Sequence, residues 1–247
     1  LLNETSKNPR LKFVTDTRKA IIIKESPLKT DLGEETIKLV SGSFSVRVFA
    51  RLWNYGVISI TLEIAIPPGT PWENLVKLAS ELETSKEVDF LAVSRKDAVK
   101  KQIMPAVGDP AEWDIFEDYI TYIVEKAPGI ENPKEFIKEV DVAALILAED
   151  KERLGEESKS FILDSAIQYS SSDLAIIDWN SALLLEPEGQ RDVADVIEFS
   201  LTHLLEFRYY DEMLGLKLEE LYDTMEMKRE SVINIFRNFY ADIAEDS

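Results

Sequence analysis

Residues 44–66 read FSVRVFARLWNYGVISITLEIAI, and they predict a β-hairpin. Apolar and polar side chains alternate on both sides of Asn54-Tyr55-Gly56. Alternation of this kind is typical of strands with one buried face, and Asn and Gly are common turn residues. We therefore expect 44–53 and 57–66 to pair as neighbouring antiparallel strands.

Other apolar runs predict further strands. Two of them, joined by Asp178-Trp179-Asn180-Ser181, predict a second hairpin at 173–186. Three consecutive isoleucines favour a short buried strand at 19–25, because β-branched residues are enriched in strands. The polar stretch at 26–35 is expected to be a loop.

Two predicted helices begin with a polar residue followed by proline and, two residues later, a carboxylate. Thr70-Pro71-Trp72-Glu73 predicts a helix over 70–85, with the Thr70 hydroxyl as its cap. Asn132-Pro133-Lys134-Glu135 predicts another, which should run through Val140 or continue to 147. A more exposed helix is expected at 88–102.

Residues 113–126 fit two interpretations. A capping sequence at 109–112 and a row of apolar residues at helical spacing favour a helix. The unbroken run Tyr119-Ile120-Thr121-Tyr122-Ile123-Val124 favours a strand. We adopt the strand interpretation for 116–125.

Together these elements predict an α+β fold, with helices that cover an antiparallel sheet. Their spacing is compatible with a ferredoxin-like sheet. From Gln190 onward only helix is expected, and Gly215 should divide it into a C-terminal pair of long helices. We expect residues 1–188 to form the sheet domain, and residues 189–247 to form a helical pair that packs on this domain or projects from it.

The composition excludes several kinds of function. The 247 residues include 47 acidic and 28 basic ones, which gives a formal net charge of -19. This balance opposes binding to nucleic acids, so no nucleic-acid partner is expected. There is no cysteine and one histidine, which excludes thiolate nucleophiles and metal sites that need two imidazoles. No glycine-rich phosphate loop is present, and no cofactor is expected.

The sequence also lacks membrane and sorting signals. No apolar run approaches the roughly 20 residues that a membrane-spanning helix needs. The polar N-terminal residues carry no sorting signal, so we expect a cytoplasmic location.

The end of the chain carries a row of residues at alternating steps of four and three: Leu218, Tyr222, Met225, Arg229, Val232, Phe236, Phe239 and Ile243. Seven of these eight residues are apolar, which is typical of a coiled-coil seam or of a helix in a bundle. A 28-residue helix is roughly 40 Å long, more than a small sheet can cover. Arg229 divides the row, so we expect the half before it to pack within the chain's own fold and the half after it to meet another subunit. We therefore expect a homodimer or a partner helix, with contacts from Arg229, Val232, Phe236, Phe239 and Ile243.

A second candidate site lies on the preceding helix. His203 and Glu206 are three residues apart on one face, a spacing that can ligate a metal or share a proton. Glu198 or Asp195 would have to supply further ligands, and Arg208 could receive an anionic ligand. Because only two ligands are local, a hydrogen-bonded structural histidine is the simpler interpretation, and no metal is expected.

Two segments carry a resemblance: LAIIDWNSALLL at 174–185 and DVIEFSLTHLLEFRYYDEML at 195–214. They resemble a group of uncharacterised bacterial proteins, in which a hydrophobic hairpin leads into a long helix with a Leu-Glu-Leu-Arg-Tyr-Tyr-Asp-like motif. The order of elements is distantly similar to the domain of unknown function in the required-for-meiotic-nuclear-division proteins. In that family two long helices precede a membrane segment, which is absent here. The resemblance implies that a longer natural protein could be membrane-tethered, and it supplies no catalytic residues.

These observations favour a non-enzymatic interaction or assembly module that acts through its C-terminal helices. The alternative is a small-molecule sensor or an enzyme with an acidic pocket around His203, Glu206 and Arg208.

Overall fold

The computed structural model describes residues 27–107, 112–125, 132–150, 154–186, 189 and 191–245, with side chains through Glu226 in the last helix. The strands are β1 (Leu28–Leu39), β2 (Gly42–Leu52), β3 (Ile58–Ile64), β4 (Ile120–Val124), β5 (Leu174–Ile177) and β6 (Ser181–Leu185). The helices are α1 (Trp72–Glu83), α2 (Lys86–Ile103), α3 (Pro133–Glu139), α4 (Val142–Ile146), α5 (Glu156–Asp164) and α6 (Asp192–Glu245). The fold is therefore mixed α+β and carries a long C-terminal helix.

The first sheet is antiparallel in the order β1-β2-β3. Strands β2 and β3 pair with Val48 opposite Leu62, which confirms the predicted hairpin. Val46 and Val48 are fully buried on its inner face. Val88 and Leu91 of α2 pack against this face, so a helical layer covers the inner side of the first sheet.

The prediction of a loop at 26–35 was wrong, because most of this stretch belongs to β1. Its charged residues hide the alternation, and the register shifts between Asp31 and Gly33. Gly33 has a φ of +89°, which favours glycine, and Asp31 accepts its N–H at 2.9 Å. A β-bulge of this kind breaks the period-two pattern that identifies strands in a sequence.

The second sheet has the order β4-β6-β5 and is mixed. Strands β5 and β6 are antiparallel, as the second predicted hairpin requires, whereas β4 and β6 are parallel. All five residues of β6 are buried, because both faces of the sheet are covered. Its Leu183 and Leu185 pack with α1, α3, α4 and α5, while Ala182 and Leu184 pack with the start of α6.

The strand interpretation of 116–125 is confirmed for Ile120–Val124. A ferredoxin-like sheet is not confirmed, because the described strands form two three-stranded sheets. A C-terminal pair of helices is not confirmed either, since α6 continues through Gly215 as one helix of 54 residues. A glycine inside a helix costs only about 1 kcal/mol, which a long helix tolerates. The strand predicted at 19–25 lies outside the described residues.

Two predicted helix starts differ in their capping. Asn132 caps α3 as expected, because its side chain accepts the N–H of Lys134 at 3.0 Å. The Thr70 cap was wrong, since its hydroxyl donates to the carbonyl oxygen of Pro67 and α1 has no side-chain cap. The chain is extended at Val140, so the predicted helix over 132–147 divides into α3 and α4.

The chain divides into two compact units, and the second begins at His203. Both sheets and the first turns of α6 belong to the first unit. The described part of the second unit is the rest of α6. Within the residues that the structure describes, no helix is both long and apolar enough to cross a membrane.

Candidate functional site

Helix α6 begins at Asp192, and two acidic residues lie in its first turn. Negative charge is favourable there, because the helix dipole places partial positive charge at the amino end. Along its first three turns, one side of α6 packs on the second sheet through Val193, Ala194, Ile197 and Leu201. The other side of the same turns contacts the β2–β3 hairpin.

Arg51 of β2 is central to the contact with the hairpin. Its guanidinium donates to Asp195 Oδ1 at 2.7 Å and also binds the carboxylate of Glu198. The three side chains are 17%, 24% and 19% exposed, so the ion pairs are largely withdrawn from water. Asp195 and Glu198 were the carboxylates that the sequence offered as additional metal ligands. Both form ion pairs with Arg51 instead.

Polar and aromatic contacts complete this cluster. Ser59 donates to Glu198 Oε1 at 2.5 Å and accepts from the indole N–H of Trp53 at 3.1 Å. The Trp53 ring lies 5.7 Å from that of Phe199. The hydroxyls of Tyr55 and Thr202 form a hydrogen bond of 2.7 Å. These contacts fix α6 to the first sheet, which indicates a structural role for the cluster rather than a chemical one.

Lys29, on β1, lies near the same cluster. Burial, together with the positive charge of Arg51, lowers the pKa of this ammonium group below its usual range. Its Nζ sits 4.4 Å from the centre of the Phe49 ring, and the guanidinium of Arg47 sits 4.8 Å from it. Both cations therefore stabilise the exposed side of the sheet through cation–π contacts.

Two tyrosines next to β6 are the most perturbed acids. Burial raises the pKa of Tyr119 to about 12, and its hydroxyl donates to the carbonyl oxygens of Asp178 and Ser181. Burial also raises the pKa of Tyr122. Among the described residues, its hydroxyl and Asn180 Oδ1 are the buried side-chain atoms without a hydrogen-bond partner. Both tyrosines stay protonated at neutral pH, so neither is a ready general base.

The residues of the alternative pocket all lie in the second unit. His203 and Glu206 are half-buried, and Arg208 is exposed. No group of three or more His, Asp or Glu side chains that could hold a metal occurs in the part of the chain that the structure describes. The interpretation of His203 as a structural histidine stays a prediction.

The second unit presents a continuous row of exposed apolar side chains: Leu204, Phe207, Leu214, Leu218, Leu221 and Met225. We name this row the apolar stripe. Its steps of three and four residues place all six on one face of α6, and Asp211 completes the spacing between Phe207 and Leu214. The row predicted from the sequence shares Leu218 and Met225 with the apolar stripe, and both are exposed in the structure rather than packed inward as expected. The same spacing, followed backward, would have revealed the rest.

The expected interaction residues Arg229, Val232, Phe236, Phe239 and Ile243 fall on the helical backbone of α6, but their side chains lie outside the described part. Their positions continue the spacing of the apolar stripe toward the end of the helix.

A family model described as "Uncharacterized protein MJ0711, N-terminal domain" matches residues 1–192, which are 192 of the 247 residues. The chain belongs to this family. The MJ0711 N-terminal domain match covers both sheets and ends at the first residue of α6. The apolar stripe therefore lies outside the matched region.

The chain is also similar in sequence to one full-length protein. A protein named "Uncharacterized protein MJ0711", from Methanocaldococcus jannaschii, is 34% identical over 86 residues. These residues are 34% of this chain and 27% of the relative, so the match spans about a quarter of the relative's length. No solved structure matches the chain.

These comparisons confirm an uncharacterised family. They do not confirm a bacterial origin or the link to the required-for-meiotic-nuclear-division domain.

Proposed function

We propose that this chain is a non-enzymatic interaction or assembly module that self-associates through α6. The observation that carries the proposal is the apolar stripe. Six large apolar side chains follow one face of a helix, and each is exposed. A helix with such a face normally buries it against another element, either within its own fold or in a coiled coil.

The energy of burial supports association. Moving one Leu, Phe or Met side chain from water into an apolar contact contributes roughly 1.5–3 kcal/mol. Soluble monomers rarely leave large contiguous apolar patches exposed, and such patches mark interaction sites. Six residues on one face give a second helix enough apolar surface to offset the entropy that association costs.

The negative charge of the chain does not prevent this contact. Between His203 and Glu226 every acidic residue except Asp211 lies on the other faces of α6, and Asp223 and Glu220 are examples. Charges on the outer faces of two paired helices lie far apart, and physiological salt screens them beyond roughly 8 Å. The interface itself therefore carries little like-charge repulsion.

In this proposal residues 1–188 form the folded domain, and residues 189–247 form the segment that associates. The first turns of α6 hold this segment to the domain through Arg51. The contact continues along the helix through Arg229, Val232, Phe236, Phe239 and Ile243.

A pair of leucine variants tests the proposal. Leu218 lies on the apolar stripe and Leu216 on the opposite side of α6, yet both residues are 53% exposed. A buried charge in the interface costs several kcal/mol, so Leu218→Glu should give a monomer at tens of micromolar. Leu216→Glu adds the same charge outside the interface and should stay dimeric. Light scattering with in-line chromatography reads the mass directly.

An unmodified chain that is monomeric at that concentration would refute the proposal. Equal masses for the two variants would show that the apolar stripe is not the contact.

A further inference from the structure

Lys29 lies on the outer face of the first sheet, next to a row of alternate residues of β2. It is half-buried and stands directly opposite Arg51 in the pairing of β1 with β2, so the Cβ atoms of the two residues are roughly 5 Å apart. Its Nζ lies 4.4 Å from the centre of the Phe49 ring, and the guanidinium of Arg47 contacts the same ring. The amine therefore has an aromatic ring and two guanidinium groups as its neighbours.

The amine of Lys29 has no carboxylate partner among the residues that the structure describes. Arginine side chains bind the acidic groups around it instead. These ion pairs are Asp31 with Arg47, Asp195 and Glu198 with Arg51, and Glu63 with Arg191. A guanidinium offers five donors in a planar fork that matches a carboxylate, which favours arginine over lysine in such pairs. Lys29 therefore has a ring contact in place of an ion pair.

These surroundings favour the neutral form of the amine. Burial removes water from the ammonium group and the positive charge of Arg51 repels it, and both effects lower its pKa. Arg47 adds a further repulsion, whereas the charges of Asp195 and Glu63 act in the opposite direction and offset the lowering only in part. The neutral amine is the nucleophilic form of lysine, and a desolvated lysine next to another cation is an activated nucleophile.

We propose that Lys29 is a covalent modification site, at which its amine takes an acyl group from a small acyl donor of the acyl phosphate class. The lone pair of Nζ attacks the carbonyl carbon, and a C–N bond forms. The bond between this carbon and the phosphate oxygen breaks, the phosphate leaves with the electron pair, and Nζ loses one proton to water. The product is an uncharged amide.

The modification changes the surroundings of Arg51. An acylated Lys29 carries no positive charge opposite Arg51, so the guanidinium binds Asp195 and Glu198 without a second cation beside it. The electrostatics of the contact between β2 and the first turns of α6 therefore depend on this modification. The site lies outside the apolar stripe, and the proposal does not depend on self-association.

Reaction of the unmodified chain with acetyl phosphate tests the proposal, and Lys38 is the internal control. Lys38 lies on the same strand, opposite Ser43, and it is exposed, so accessibility alone would make it the faster of the two. Peptide mass spectrometry measures the initial rate of acetylation at each residue. At about pH 7.5 we expect Lys29 to react several times faster than Lys38, because more of its amine is neutral.

The pH dependence of the two rates identifies the cause. Near pH 10.5, where an ordinary lysine is about half neutral, the advantage of Lys29 should shrink to less than about twofold. A rate at Lys29 no higher than that at Lys38 at about pH 7.5 would overturn the proposal. An advantage that is the same at both pH values would also overturn it, since it would not come from the neutral amine.

Two variants test the surroundings of the amine. Arg51→Met removes the repelling cation and leaves two carboxylates nearby, so acetylation of Lys29 should slow while that of Lys38 stays unchanged. Glu63→Gln removes a charge that favours the ammonium form, so acetylation of Lys29 should become faster. Glu63→Gln leaves the Arg51 contact intact and gives a result even if Arg51→Met does not fold. A Lys29 rate that does not rise in Glu63→Gln would contradict the proposal.

Discussion

Arg51 joins two carboxylates of α6 to the first sheet, and its removal should destabilise the fold. Arg51→Met would leave Asp195 and Glu198 side by side, largely buried and without their cation. Breaking a buried ion pair by removing one partner costs 3–5 kcal/mol, and partial exposure lowers this to about 2–3 kcal/mol here. The free energy of unfolding in urea measures the loss.

Arg47→Met is the matched control. Its ion pair with Asp31 also lies on the first sheet, but the two side chains are 55% and 47% exposed. Exposed ion pairs contribute little to stability, so the control should lose clearly less than Arg51→Met does. Equal losses for the two variants would contradict the role that we assign to Arg51.

Asp173 should make the stability depend on pH. Partial burial opposes its ionisation, but hydrogen bonds from Ser170 and Tyr169 hold the pKa of this carboxyl below its usual value. Its contribution is therefore complete above the unfolded pKa of about 3.9 and is lost as the pH falls through the folded value. We expect the unmodified chain to exceed Asp173→Asn in stability at pH 7, and this difference to shrink near pH 3. A difference that is the same at both pH values would show that the carboxylate charge does not matter.

At the scale of single residues, the sequence shows which side chains are charged or apolar, but it does not show which residues they contact. The exposed leucines of α6 could be predicted from their spacing. The ion pairs of Arg51 could not, because its partners lie more than 140 residues away along the chain. An acidic composition made every carboxylate a candidate for chemistry, and only the fold shows that Asp195 and Glu198 bind an arginine.

Among the secondary structure elements, the start of α3 offers the sharpest test. Asn132 accepts a main-chain N–H of the first turn, and loss of such a cap costs about 0.5–2 kcal/mol. Asn132→Ala should therefore destabilise the fold by about 1 kcal/mol. Thr70→Ala should cost less, because Thr70 makes a turn before α1 and no cap. Thermal or urea unfolding distinguishes them, and a larger loss for Thr70→Ala would contradict this assignment.

The elements differed in how well the sequence predicted them. Both hairpins follow from alternating or apolar runs around turn residues, which are local signals. Strand β1 was missed because charged residues and the bulge near Gly33 obscure its pattern. The sequence predicted a break in α6 at Gly215, because glycine is a poor helix former. A single glycine costs a long helix little stability, so the helix continues through it.

At the scale of the whole molecule, the first turns of α6 connect the two sheets. One side of these turns covers Ala182 and Leu184, and the other binds Arg51 and Trp53. The sequence predicted an α+β fold, but it could not show that the strands form two sheets. The parallel pairing of β4 and β6 joins Ile120 to Ser181, which are 61 residues apart, and no local pattern specifies such a contact.

The exposed face of the second unit leads to the proposed function, in which two copies associate through the apolar stripe. Sedimentation equilibrium of the unmodified chain tests this claim most directly, because it requires no variant. The mass of one chain is 28.1 kDa. We predict a species of about twice this mass at tens of micromolar that dissociates on dilution. A single species of 28.1 kDa at every concentration would contradict the account.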